Sequence, residues 1–92
     1  MKDFLETLRA IASISVLELG PHNGTPQLLI GYRSGANSLN VLVEYKNKGA
    51  QLSEAQMEFR RRWKGPIITV TDANQVLKCL RRMTTPKVMR VK

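Results

Sequence analysis

The sequence predicts a single α/β domain built on a mixed β-sheet, and three observations lead to this prediction. The chain has 92 residues, 42% of them hydrophobic and 24% charged, which suits one compact globular domain. Segments with helical spacing of apolar residues alternate with short β-branched or alternating segments that are typical of strands. A helix separates the third and fourth predicted strands, and such crossovers join parallel strands. We therefore expect a mixed β-sheet flanked by helices, in the order α-β-β-β-α-β-α.

The first half of the chain is predicted to hold one helix and three strands. Phe4, Leu5, Leu8 and Ile11 recur at helical spacing, which predicts an amphipathic helix over residues 3–12. The segments that follow are predicted as strand 14–19, turn 20–26, strand 27–32, loop 33–38 and strand 39–45. In the third strand, alternation should place Leu39, Val41 and Val43 on one face and Leu42 and Glu44 on the other.

The second half is predicted to hold two helices around a short strand. Ser53 and Gln56 fit a capping box, with Glu54 at the positive end of a helix that Gly65-Pro66 terminates. Residues 67–71 (IITVT) predict a buried strand. Asp72, with Gln75 three positions later, should cap a last helix whose Val76, Leu77, Leu80 and Met83 point inward. We expect residues 1–83 to form the domain and 84–92 a basic, flexible C-terminal tail.

The charge of the chain points to a polyanionic partner. Fifteen basic and seven acidic residues give a net charge of +8 and a pI near 10.3. Residues 53–92 carry ten basic and three acidic side chains, whereas residues 1–52 carry five and four, so nearly all the surplus lies in the second half. Such asymmetry is typical of a nucleic-acid-binding surface. The lone Cys79 excludes a disulfide scaffold, and with no membrane span or signal pattern we expect an intracellular, cytoplasmic domain with no membrane partner.

Glu44 and Lys46 form the pattern that could carry chemistry. Two residues apart on a strand, they should point to the same face. A carboxylate that holds Mg²⁺ beside a lysine that binds phosphate or positions water is the arrangement that phosphodiester hydrolysis requires. The pair alone is a weak signal, because alternating Glu and Lys is common at solvated strand ends.

The context of the pair is more specific. The segments 24–32 (GTPQLLIGY), 43–46 (VEYK), 52–56 (LSEAQ) and 63–66 (WKGP), the last followed by a β-branched strand, occur in order and at close spacing. Together they resemble the VRR-NUC family of the PD-(D/E)xK nuclease superfamily, over residues 24–80. The resemblance implies a restriction-endonuclease-like fold and a Mg²⁺- or Mn²⁺-dependent DNA endonuclease. For small members it implies a homodimer, encoded by a phage or bacterium, that cuts branched DNA such as four-way (Holliday) junctions.

The resemblance also implies roles for individual residues. Glu44 corresponds to the acidic metal ligand, Lys46 to the catalytic lysine, and the backbone carbonyl of Tyr45 to a further metal ligand. Gln56 corresponds to a helix glutamine close to the active site, a role compatible with its capping box. Gly24 and Gly31 correspond to glycines around the second strand, where the backbone turns tightly or approaches DNA. The candidate DNA contacts are basic: Arg33, Lys48, Arg60, Arg61, Arg62, Lys64, Arg81 and Arg82. Phe59 and Trp63, four apart on one helix, are expected in the core rather than stacked on bases.

The sequence departs from the family at position 27, where Gln27 stands in place of the aspartate that supplies the second carboxylate. Glutamine offers only a neutral amide oxygen, so metal affinity and activity should be weakened or abolished. Three interpretations stay open: an engineered inactivating change, natural variation with another carboxylate compensating, or a domain that binds without cutting. Glu6 is the preferred compensating residue and Glu18 the other. The alternative function is therefore a non-catalytic DNA-binding module, and a third is a basic protein-interaction domain.

Overall fold

The structure, a computed structural model, describes residues 1–20 and 23–84. Within them the helices are α1 (Lys2–Arg9), α2 (Glu54–Arg62) and α3 (Ala73–Thr84), and the strands are β1 (Ile14–Glu18), β2 (Leu28–Ser34), β3 (Asn37–Tyr45) and β4 (Ile67–Val70). The strands form one sheet in the order β1-β2-β3-β4. The β1/β2 and β2/β3 pairs are antiparallel and the β3/β4 pair is parallel. The predicted mixed α/β class is thus confirmed.

The core lies between one face of the sheet and helices α1 and α3. Phe4 and Leu8 of α1 and Val76 and Leu80 of α3 are buried against this face. The sheet contributes the inward-facing side chains Ile14, Leu28, Ile30, Tyr32, Val41, Val43 and Val70. Leu39, Val41 and Val43 therefore face the core as alternation predicts, and burial of this apolar surface is the main stabilising contribution.

The opposite face of the sheet, called here the outer face, carries side chains in rows across the strands. Leu17, Leu29, Leu42 and Ile67 are successive register partners and form one apolar row. Helix α2 lies on this side, because its Arg60 donates a hydrogen bond to Thr69 Oγ1 on β4, next to the inward-facing Val70. No residue of α2 is buried.

The hairpin between β2 and β3 corrects the predicted loop at 33–38. Both strands continue into that segment, with Ser34 paired with Asn37, so only Gly35 and Ala36 form the turn. Gly35 has a φ of +62°, and a two-residue turn with positive φ at its first central position matches the right-handed twist of the strands. The side chains of this segment are polar or small, which is why hydrophobic patterning did not extend the strands.

Helices α1 and α3 also differ from expectation, in their ends and in the exposure of one side chain. Helix α1 ends at Arg9 rather than at residue 12, although Ile11 still packs against the core. Met83 is 40% exposed rather than inward-facing. Thr84, assigned to the tail, belongs to α3, where its hydroxyl donates to the carbonyl of Leu80. The rest of the predicted tail (85–92) and part of the predicted turn (21–22) lie outside the described residues.

Both predicted helix caps form, the one at α2 as a reciprocal capping box. The Ser53 hydroxyl accepts a hydrogen bond from the Gln56 N–H at 3.2 Å, and the Gln56 side-chain oxygen accepts from the Ser53 N–H at 2.8 Å. At the start of α3, Asp72 accepts from the Gln75 N–H at 2.9 Å, while the Gln75 side chain accepts from the N–H of Thr71. These contacts satisfy amide groups that have no partner within the helix.

Candidate active site

An open cavity of about 390 Å³ lies where β1 ends, β2 begins and β3 ends. Gln27, Glu44 and Gln56 all line it, so three of the predicted catalytic residues share one cavity. A second cavity of about 400 Å³, lined by Gly31, Arg33 and Asn40 among others, lies toward the hairpin end of the same strands.

Gly24 also lines the first cavity, and its conformation sets how the loop before β2 meets α2. Its φ is +83°, and a Cβ at this position would lie 2.4 Å from the backbone oxygen of Ala55. The close approach predicted for this glycine is therefore to the first turn of α2. Glycine is required here both for the backbone conformation and for the contact.

Glu44 is the buried charged group of this cavity. Its register partner on β4 is Thr69. On the β2 side, the register continued one residue beyond the last pair places Gln27 opposite Glu44. The side chain is only 2% exposed, and its Oε2 atom has no hydrogen-bond partner within residues 1–20 and 23–84. Burial raises the pKa of Glu44 above its ordinary value of 4.5, while the charges of Lys46 and then Arg60 oppose that rise in pKa. A buried carboxylate oxygen without a partner is costly, so this atom calls for a cation or a donor.

Two cations stand near this carboxylate, although only one was predicted there. Lys46, half-buried just after β3, is close enough to stabilise the charged form of Glu44. Arg60 does the same from α2, and its hydrogen bond to Thr69 Oγ1 holds it beside the register partner of Glu44. In the sequence, Arg60 is one of a run of three arginines. Its position four residues after Gln56, hence on the same side of α2, is the signal that could have singled it out.

Gln27 binds the backbone of Tyr45 through both ends of its side-chain amide. The Tyr45 N–H donates to Gln27 Oε1 at 2.7 Å, and Gln27 Nε2 donates to the Tyr45 carbonyl at 3.1 Å. The β2/β3 register, continued, would put Pro26 opposite Tyr45, and proline has no N–H to donate. The Gln27 amide therefore takes the place of the missing peptide group. Gln27 Oε1 and the Tyr45 carbonyl oxygen are both predicted metal ligands. Each of these two oxygens thus accepts a hydrogen bond from the other residue.

Gln56 serves the capping box and lines the cavity at the same time. Its Oε1 is engaged by the Ser53 N–H, and the residue lies at the wall of the cavity that contains Glu44. The two roles considered from the sequence are therefore compatible in this structure.

The two upstream glutamates lie in different surroundings. Glu6 is exposed on α1, whereas Glu18 lines the cavity at the end of β1. The carboxylate of Glu18 is 3.0 Å from the guanidinium of Arg9, and both side chains are about half-exposed. Among the described residues no group of three or more His, Cys, Asp and Glu side chains comes together. Of the two carboxylates among the described residues that line this cavity, Glu44 is buried and Glu18 is exposed.

The basic residues predicted to contact DNA are exposed, apart from the half-buried Arg60. Arg61 and Arg62 both form ion pairs with Glu58 on α2. Arg33 lies on β2 six residues after Gln27, a separation of about 20 Å along an extended strand. The exposed members of the predicted set lie on β2, α2 and α3 and in the loops that follow β3 and α2: Arg33, Lys48, Arg61, Arg62, Lys64, Arg81 and Arg82.

Phe59 and Trp63 correct the expectation that both belong to the core. Their rings stack with centroids 5.4 Å apart and an interplanar angle of 16°, but Phe59 is only half-buried and Trp63 is 47% exposed. Cys79 is half-buried on α3. In the part of the chain that the structure describes, no helix is both long and apolar enough to cross a membrane.

Comparison of the chain with protein-family models, with curated proteins and with solved structures finds no match.

Proposed function

We propose that this domain is a metal-dependent, structure-selective DNA endonuclease of the VRR-NUC type, with a restriction-endonuclease-like fold. The observation that carries the proposal is the buried Glu44 Oε2, which has no hydrogen-bond partner among the described residues and is flanked by the charges of Lys46 and Arg60. The two cationic side chains suit the negative charge of a phosphodiester, and the buried carboxylate suits a divalent cation bound to that phosphodiester.

The residues present fit a divalent cation in part. Glu44 supplies an anionic oxygen whose lone pairs are free, and the Tyr45 carbonyl and Gln27 Oε1 supply neutral oxygens that each already accept one hydrogen bond. Mg²⁺ or Mn²⁺ held there would act as a Lewis acid toward the scissile phosphate. A neutral oxygen at Gln27 instead of a carboxylate should weaken cation binding, since Mg²⁺ favours anionic oxygens.

The side chains of the site would divide the remaining work. Arg60, fixed by Thr69, and Lys46 would bind the non-bridging oxygens of the phosphate, and Lys46 would also orient the attacking water. Gln56 would contribute its side-chain nitrogen to the cavity wall, because its oxygen is occupied by the Ser53 N–H. The exposed arginines and lysines of the second half would bind phosphates farther along the DNA.

The substrate and assembly are proposed on grounds of size. A 92-residue chain is too small to enclose a branched duplex, so a homodimer would present two sites to opposing strands of a four-way junction. The protein would act inside the cell, in the cytoplasm.

A cleavage assay on a synthetic four-way junction with Mg²⁺ or Mn²⁺ tests this function. We expect slow nicking by the protein, no nicking by Glu44→Ala or Lys46→Ala, and faster nicking by Gln27→Asp. Glu54→Ala is the matched control, because Glu54 is an exposed glutamate in the first turn of α2 and its loss should leave nicking unchanged. Inactivity of both the protein and Gln27→Asp, or nicking that persists in Glu44→Ala, would contradict the proposal.

A second candidate, a DNA-binding module without catalysis, is favoured by the Gln27–Tyr45 contact. This contact already occupies one acceptor position on the Tyr45 carbonyl and one on Gln27 Oε1, so among the described residues the cavity offers a cation only Glu44 Oε2 as a buried side-chain oxygen without a hydrogen bond. Calorimetric titration with Mn²⁺ separates the two candidates. A nuclease site should give binding heat that Glu44→Ala removes, whereas a pure binding module should give none while still binding DNA in a salt-dependent manner.

A further inference from the structure

The exposed ring of Trp63, together with Phe59, forms an aromatic surface at the end of α2 that the proposed chemistry does not use. The two rings stack on each other, and Gly65 lies against the indole edge, where an added Cβ would be 2.8 Å from Nε1. Phe59 and Gly65 thus fix the orientation of the indole, while nearly half of Trp63 stays accessible. A rigid, accessible aromatic ring is what an unstacked nucleobase needs as a partner.

The positive charge around this aromatic pair favours a polyanion as the partner that binds to it. Residues 54–64 contain four basic side chains (Arg60, Arg61, Arg62 and Lys64) against two acidic ones, and the whole chain carries +8. A second copy that placed its own residues 54–64 on the ring would bring the same surplus of positive charge to this surface, which electrostatic repulsion disfavours, so a homodimer would join elsewhere. A polyanion that also carries flat π-systems satisfies both the cations and the ring.

The position of the pair relative to the cavity gives it a role. Phe59 immediately precedes Arg60, the residue held beside Glu44, and Trp63 follows Arg60 by three residues, about 4.5 Å along the helix axis. A strand whose phosphate lies at Arg60 therefore has a neighbouring base within reach of the indole.

We propose that Trp63, supported by Phe59, stacks on an unpaired base of the bound nucleic acid, next to the phosphate held at Arg60. This inference rests on the proposed binding of DNA and narrows its substrate class to strands with at least one unstacked base, such as branch points, gaps and single strands. A fully paired duplex offers no such base, so it should bind through its phosphates alone.

Trp63 is the sole tryptophan of the chain, so its fluorescence reports the contact directly. In EDTA, which prevents cutting, we expect a short single-stranded oligonucleotide to quench this fluorescence strongly. An abasic strand of the same length and charge should bind with little quenching. Trp63→Leu should weaken binding of the base-containing strand at least about fivefold, the equivalent of about 1 kcal/mol of stacking, and leave the abasic strand unchanged.

Two further variants guard against indirect effects. Trp63→Phe should recover part of the affinity, because a phenyl ring still stacks, and Met57→Ala should leave it unchanged, because Met57 is a comparably exposed apolar residue of α2 without a ring. Thermal melting of each variant establishes that it is folded before binding is measured.

Each contrary outcome has a distinct meaning. Equal quenching by abasic strands, or equal loss of affinity for both strands in Trp63→Leu, overturns the stacking proposal. Conversion of a dimer to a monomer by Trp63→Leu, with affinity unchanged, shows that a second copy covers the ring instead. Stacking without junction cleavage in Mn²⁺ overturns the endonuclease alone, and no binding to any strand at low salt overturns both proposals.

Discussion

Replacing Gly24 with alanine should destabilise the protein by more than its left-handed backbone alone explains. The φ of +83° costs a residue with a Cβ about 1 kcal/mol or more, and the added Cβ would lie 2.4 Å from the Ala55 carbonyl oxygen. Because that neighbour is backbone at the start of α2, it can move only if the loop or the helix shifts. Such overpacking typically adds about 1–3 kcal/mol, so we expect a total loss of about 3 kcal/mol.

Gly35→Ala is the matched control for this prediction. Gly35 also has positive φ, +62°, but a Cβ there meets nothing within 4 Å, so only the backbone cost of about 1 kcal/mol should appear. Urea unfolding followed by circular dichroism gives the free energy of unfolding of both variants. If Gly24→Ala and Gly35→Ala lose the same free energy, the close approach of Gly24 to α2 does not constrain the fold and the reasoning is refuted.

The remaining predictions concern the cap of α2 and the buried glutamate. Ser53→Ala removes the hydroxyl that accepts from the Gln56 N–H and should cost about 1 kcal/mol, seen as roughly fivefold faster amide exchange within α2; unchanged exchange would show that the cap is not limiting. Because burial raises the pKa of Glu44, the folded state binds this proton more tightly than the unfolded chain. The free energy of unfolding should therefore fall, relative to Glu44→Gln, as pH rises from 4.5 through the folded pKa; a flat or rising difference would contradict this.

Local signals in the sequence were sufficient to predict most of the fold. The capping residues Ser53 and Asp72 mark helix starts because they act on amides three residues away, and the alternation in β3 reports burial directly. The boundaries that differ, at the β2/β3 hairpin and the end of α1, fall where side chains are polar or small. There hydrogen bonding and turn geometry decide the structure, and apolar spacing carries no information.

The candidate site was predictable in its residues but less so in its contacts. Spacing gave the strand face of Glu44 and the capping role of Gln56, but only the family resemblance predicted that the two lie close together, as they do in the cavity lining. Spacing from Gln56 could have given the side of α2 on which Arg60 lies, but its contact depends on Thr69 of a strand that follows it in the chain and could not be predicted. The four-residue spacing of Phe59 and Trp63 is compatible with a stacked pair either in the core or in solvent. The exposure of Trp63 is therefore decided by tertiary packing, which the spacing does not report.

The amide of Gln27 has a consequence for how the domain folds. Two carboxylates facing each other at the ends of β2 and β3 would repel, and such a fold would gain stability when a divalent ion neutralised them. With a neutral amide that joins the two strand ends, no such repulsion has to be overcome. Folding of this chain should therefore not require a divalent ion, so in chelator it should still unfold cooperatively, and excess Mg²⁺ should raise its melting temperature only to the extent that the ion binds at Glu44.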